Sequence, residues 1–260
     1  MAQQTVVLDP GESQAVPFTF VPDVAKTYSV KVDGLAGSFV AKQPTPNIFC
    51  FHRFVHELPG YQNTTWITTE VEGRIGNLTK LGAGNALAGV EATFHVKTTG
   101  VQPITIEVLG WWQYGQYVTG VCIYDYNKTP PYQYDRYAVI NSGEVYRYAI
   151  HLQSSQIVTR IKNPANAVIF QDIYPCSPIQ FLTFQTELEY WRAPPLSFDG
   201  LSTIDAIYQD GVGWLVPADV CTFYFNNRCP VDQPCCEFLQ TNHYAENGHW
   251  ILEGKIRDGV

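Results

Sequence analysis

Positive charge is scarce in this chain and forms no cluster along the sequence. Only 16 residues of 260 are Lys or Arg, against 24 Asp or Glu, for a formal net charge of −8. A protein that neutralises nucleic-acid phosphates needs a basic patch, so a nucleic-acid partner is not expected. Charge of either sign is also sparse, at 15% of the chain. Such a surface is built from Thr, Gln, Asn and Tyr, or is covered by contacts. No run of about 18 apolar residues exists, so no membrane span is expected. Met1-Ala2-Gln3-Gln4 lacks the basic start and apolar stretch of a secretory signal. The expectation is a signal already removed, or release from the cytosol by lysis, as for virion proteins. Catalytic signatures are missing as well: no Gly-x-Ser-x-Gly elbow, no Ser/His/Asp ordering, and no phosphate loop leading into a helix. No cofactor is expected.

What is present is apolar, aromatic and alternating. Apolar residues make up 45% and aromatics 14% of the chain, enough for a substantial core. From residue 64 onward the period is two: Ile67, Thr69, Val71 and Gly73 share one face, and Thr68, Glu70, Glu72 and Arg74 the other. Further strands are predicted over 90–97, 104–112, 118–126, 145–153, 157–162, 181–191 and 249–255. Pro and Gly turns between them predict a β-sandwich, jelly-roll or concanavalin-like. Ser202-x-x-Asp205 predicts a turn or two of helix over 199–209.

The first forty residues predict strands at 5–8, 16–20, 28–32 and 35–40. Asp9-Pro10-Gly11-Glu12 and Asp33-Gly34 mark the turns between them. On Leu8, Pro10-Gly11, Ser13, Phe18, Tyr28, Val30, Val32 to Leu35 and Gly37-Ser38-Phe39, this segment resembles the C-terminal half of the cell-adhesion-related domain of bacteria and archaea. The resemblance implies an immunoglobulin-like sheet, an extracellular or surface setting, and adhesion or spacing without catalysis. The expected organisation is a partial immunoglobulin-like segment over 1–43, a connector over 44–63, and a larger all-β sandwich over 64–260. An incomplete sheet offers an unpaired edge to another chain. The first functional expectation is therefore a non-enzymatic structural or adhesive protein. It would assemble with copies of itself, in a filament, surface layer or virion.

The cysteines are odd in number, seven, and four of them crowd into Cys221, Cys229, Cys235 and Cys236. In a Pro-rich loop this predicts a disulfide knot rather than zinc, because Cys-x₂-Cys pairs are missing. His52-x₃-His56 beside Cys50 and Glu57 alternates as a strand with no further ligand pair, so no metal is expected.

Two constellations carry other functions. Trp111, Trp112, Tyr114 and Tyr117 are candidates for an interface or for a sugar-stacking platform of a carbohydrate-binding module, with glycans as partners. Glu187 and Glu189 stand two apart in FQTELEYW, which on a strand places both carboxylates on one face, about 6.8 Å apart. That spacing suits a glycosidase acid and base. The layout also resembles in pattern the glutamic peptidases, which work from a β-sandwich with a Gln and a Glu. That resemblance implies Gln113 with Glu187 or Glu189 as catalytic candidates, although the Trp-Tyr-Glu-Trp stretch of that family has no counterpart here.

Overall fold

The computed structural model describes residues 11, 26–32, 35–41, 49–57, 68–81, 87–191, 197–228 and 239–257. The chain divides into two units, Met1–Thr45 and Pro46–Val260. In the first, β1 (Lys26–Val32) and β2 (Leu35–Ala41) form an antiparallel hairpin with Val32 opposite Leu35. The strands predicted at 5–8 and 16–20 lie outside the described residues.

The second unit opens with β3 (Phe49–Glu57), β4 (Thr68–Leu81), β5 (Leu87–Thr98) and β6 (Ile104–Gln113). Then come β7 (Gln116–Asp125), β8 (Tyr132–Val139), β9 (Val145–Gln153) and β10 (Gln156–Lys162). They are followed by β11 (Val168–Pro175), β12 (Pro178–Trp191), β13 (Ser197–Ile204), β14 (Ala206–Gln209) and β15 (Gly213–Leu215). A single turn of helix, α1 (Pro217–Val220), precedes β16 (Thr222–Arg228), β17 (Leu239–Glu246) and β18 (His249–Arg257).

These strands make two antiparallel sheets of a β-sandwich. One runs β16-β3-β12-β5-β6-β7-β8; the other runs β11-β10-β9-β4-β13-β18-β17, with β14 paired to β4 and β15 to β14. Alternation decides the faces. Val90, Ala92, Phe94, Ile106, Val108, Phe184 and Leu188 of the seven-stranded sheet enter the core with Val71, Ile75, Ile150, Phe198 and Leu252 of the other. Among the described residues no helix is long and apolar enough to cross a membrane.

The sheets approach closely behind β5 and β12. Gly200 and Gly254 face each other in register, and a Cβ on Gly254 would fall 2.7 Å from Leu188 Cδ1. On Gly200 it would fall 2.9 Å from both methyls of Val90. The two glycines thus seat Leu188 and Val90, whose chain neighbours on the opposite face are Glu187, Glu189 and Glu91.

Three expectations are corrected. Residues 49–57, read as connector, form β3, a strand paired between β12 and β16 in the seven-stranded sheet, with Cys50 and His56 buried on its core side and Phe51 and Val55 buried on its outer side. The helix predicted over 199–209 is β13 and β14, whose Phe198, Ser202, Ile204 and Ile207 are buried at strand spacing. Cys221 is a free thiol, as are Cys122 and Cys176. It packs into the core after α1, and burial pushes its thiol up to about 12. Cys50 is disulfide-bonded; Cys229, Cys235 and Cys236 lie outside the described residues.

Candidate active site

The outer face of the seven-stranded sheet should be the wet one, yet it holds buried acids. Register sets Arg53 (β3) opposite Glu187 (β12), and Glu187 opposite Glu91 (β5). Glu91 in turn faces Leu109 of β6. One residue-pair to one side, Glu189 faces Gly89, and Gly89 faces Trp111; to the other side, Gln185, Thr93 and Glu107 form the next row. Glu187 is 1% exposed, Glu91 4% and Glu189 6%.

Gly89 makes room for this arrangement. A Cβ there would lie 2.3 Å from Trp111 Cδ1, so the indole lies flat against the β5 backbone. In that pose Trp111 Nε1 donates to Glu91 Oε1 at 2.8 Å. Arg53 grips Glu187 with two bonds, Nε to Oε2 at 2.7 Å and Nη2 to Oε1 at 3.2 Å. Glu189 lies between the other two and hydrogen-bonds both. Carboxylate oxygens of Glu91, Glu187 and Glu189 lie within 4.8 Å of one another. The separation expected from strand spacing has therefore closed: the side chains converge on one another.

The electrostatics follow from that crowding. Burial first, then the charges of Glu189, Glu107 and Glu187, push the Glu91 carboxyl well above the usual carboxylate range. Burial also raises Glu187, but Arg53 pulls it back toward ionisation. Glu107, at the half-open wall, is pushed up to about 7 by burial and by Glu187. The group thus runs from a proton-bearing end at Glu91 and Glu107 to a carboxylate end at Glu187 beside a fixed cation. Environments that push neighbouring carboxyls apart in this way assign acid and base roles. The cleft, about 360 Å³, is lined additionally by Gln113, Tyr124 and Tyr137.

Among the described residues, Glu91, Glu187 and Glu189 are the one close-set group with three oxygen ligands for a hard cation. Arg53 already occupies both oxygens of Glu187, which counts against a second cation there. His52 and His56 point from β3 toward the core, as alternation predicts, and pack in an aromatic cluster with Phe54, Phe223, Phe225, His243 and Trp250. Burial pushes His56 down to about 3, helped by His243; it is a neutral packing residue.

The structure thus brings Glu187, Glu189, Gln113 and Trp111 into one cleft. It separates the other aromatic candidates. Trp112 faces the opposite side, edge to Tyr117 at 4.8 Å, with the Lys80 ammonium 4.3 Å over its ring. Tyr114, 79% exposed, sits in the β6–β7 turn. Arg53, Glu91 and Glu107 escaped the sequence reading. The only signal for the two acids was a charged residue at alternate positions in VEATF and ITIEV, where it reads as solvated face.

No family model matches the chain, and no curated protein matches its sequence. Solved structures are similar at a distance. Scytalido-glutamic peptidase, solved with a peptide-based transition-state analogue, is 10% identical with a TM-score of 0.49, over 80% of this chain and 98% of that one. SCP-B of the eqolisin family of peptidases, in a complex with the tripeptide Ala-Ile-His, is 9% identical with a TM-score of 0.46, over 81% and 98%. The kappa-carrageenase from Pseudoalteromonas carrageenovora is 9% identical with a TM-score of 0.32, over 79% and 80%. Likenesses this distant carry no conclusion about this chain.

Proposed function

We propose that the protein is a carboxyl-dependent hydrolase that cleaves an amide bond of a peptide laid along the outer face of the seven-stranded sheet. The observation that carries this reading is the convergence of Glu91, Glu187 and Glu189 within 4.8 Å, with Arg53 at one end only. An inverting glycosidase holds its carboxyls about 6.5–9.5 Å apart to admit water between them. Carboxyls close enough to share protons suit a water attacking a planar carbonyl, as in aspartic proteases.

In the proposed reaction the Glu187/Glu189 end takes a proton from water as its oxygen bonds to the carbonyl carbon. The Gln113 amide N–H donates to the oxygen that gains charge. The carbon–nitrogen bond then breaks as Glu91 or Glu107 delivers a proton to the leaving nitrogen. With Glu107 as the donor, activity falls as pH rises through about 7, where its carboxyl loses the proton.

This reading rests on the second unit. The sequence points to strand pairing between copies through residues 1–40; the described part of that segment is a two-stranded hairpin, and assembly in an extracellular setting is a separate proposal, compatible with catalysis. The test is a quenched-fluorescence peptide library between pH 3 and 8, with an oligosaccharide panel beside it. Peptide cleavage at acid pH, lost by a factor of about 100 or more in Glu189→Gln and Glu187→Gln, is the expected result. Saturable glycan binding without cleavage would instead favour the carbohydrate-binding module, and cleavage that survives both substitutions would overturn the roles assigned here.

A further inference from the structure

The outer face of the nine-stranded sheet carries a second groove, remote in the fold from the acids because it lies on the other sheet. It is a cavity of about 440 Å³. Register sets Lys162 (β10) opposite Arg147 (β9), and Arg147 opposite Arg74 (β4). Three cations therefore stand in one row across three adjacent strands, with Arg160 two residues from Lys162 on the same face. In a chain with 16 Lys and Arg in all, four converge on this groove. Like charges directly opposite in a sheet are destabilising, at Cβ separations of about 4.5–5.5 Å.

The carboxylates of the groove do not resolve the repulsion. Asp205 is taken by Arg74, at 2.7 and 3.0 Å, and by His249. Glu72 faces Ala149 in the neighbouring row, and Glu246 lines the groove from the end of β17. Among the described residues, neither Arg147 nor Lys162 has a carboxylate within salt-bridge distance. Arg160 gives only its Nε, to Gln171 at 2.6 Å. The field is felt nearby: besides burial, Arg160 and Lys162 hold His151 below its usual range despite its contact with Glu70.

We infer that this groove binds a phosphate group, free or as a monoester, between Arg147, Lys162 and Arg160. Planar guanidinium groups match phosphate oxygens in pairs, and an ammonium adds a point charge from a third direction. A carboxylate monoanion would satisfy one arginine and leave the lysine unmatched. The cavity is wide enough to take the substituent of an ester as well as the ion.

The experiment is isothermal titration of the full chain with inorganic phosphate and, separately, with phenyl phosphate, at constant ionic strength held with chloride. Saturable binding of at least one is expected. Arg147→Gln and Lys162→Gln should each weaken it about tenfold or more, while Lys97→Gln, which removes a positive charge from the other sheet, should leave it unchanged. Tighter binding of phenyl phosphate identifies a monoester ligand, and equal binding the free ion. Absence of saturable heat in the wild type with both ligands at millimolar concentration overturns the inference, and so does equal weakening by all three substitutions, which would mark mere charge screening. Arg147 is exposed, so its substitution does not endanger the fold.

Discussion

Replacing Glu107 by Gln should make the protein more stable at alkaline pH and leave it unchanged in acid. Burial, and then the charge of Glu187, push the Glu107 carboxyl from 4.5 to about 7, against a hydrogen bond from Tyr124 and the charge of Arg53. The folded protein therefore holds this proton more tightly than the unfolded chain does. The stability it contributes is fully present below about pH 4.5 and is lost as pH rises to about 7. At about 1.36 kcal/mol per pH unit, the difference amounts to about 3 kcal/mol. That is an upper limit, since the wall is half open to water. An amide has the same shape and does not titrate, so Glu107→Gln removes the loss. Urea denaturation at pH 4.5 should give matching stabilities. At pH 8 the variant should be the more stable by up to about 3 kcal/mol, or about 6–12 °C in Tm. Curves that run parallel across this range would show that Glu107 is not buried among charges, and would undo the proton assignment of the whole cleft.

Two further outcomes follow from the same geometry. Arg53→Met leaves Glu187, 1% exposed, without its cation; the cost should approach about 3 kcal/mol at pH 8 and shrink toward pH 4.5, where Glu187 takes a proton instead, as pH-dependent denaturation would reveal. Gly89→Ala puts a methyl 2.3 Å from the Trp111 ring; overpacking of about 1–3 kcal/mol and a changed near-ultraviolet circular dichroism signal should accompany it, and an unchanged signal would refute the flat indole.

Much of the sandwich is legible in the sequence because burial on one face imposes period two. The stretches predicted from 90 to 162 match β5, β6, β7, β9 and β10 closely. Besides β3, β13 and β14, read otherwise, the strands that escape are β8, β11, β15, β16 and β17, where edge or polar positions dilute the alternation. In β8, Tyr132, Gln133, Asp135 and Arg136 are all exposed, and nothing local distinguishes such a strand from a loop. The helical reading of 199–209 rested on a capping pattern, which the pull of Phe198, Ile204 and Ile207 into the core outweighs. In the cleft, Glu187 and Glu189 are visible as a pair since a strand places both on one face. Glu91, Glu107 and Arg53 join them only through strand register, which single-sequence spacing does not contain.

The grip of Arg53 on Glu187 spans 134 residues of chain. During synthesis at about 5–20 residues per second, β3 waits roughly 7–27 s for β12 to be made. Phe51 and Val55, buried in the finished sheet, have no β12 to cover them for that time. An emerging chain is thus open to wrong partners along β3 until its twelfth strand is made.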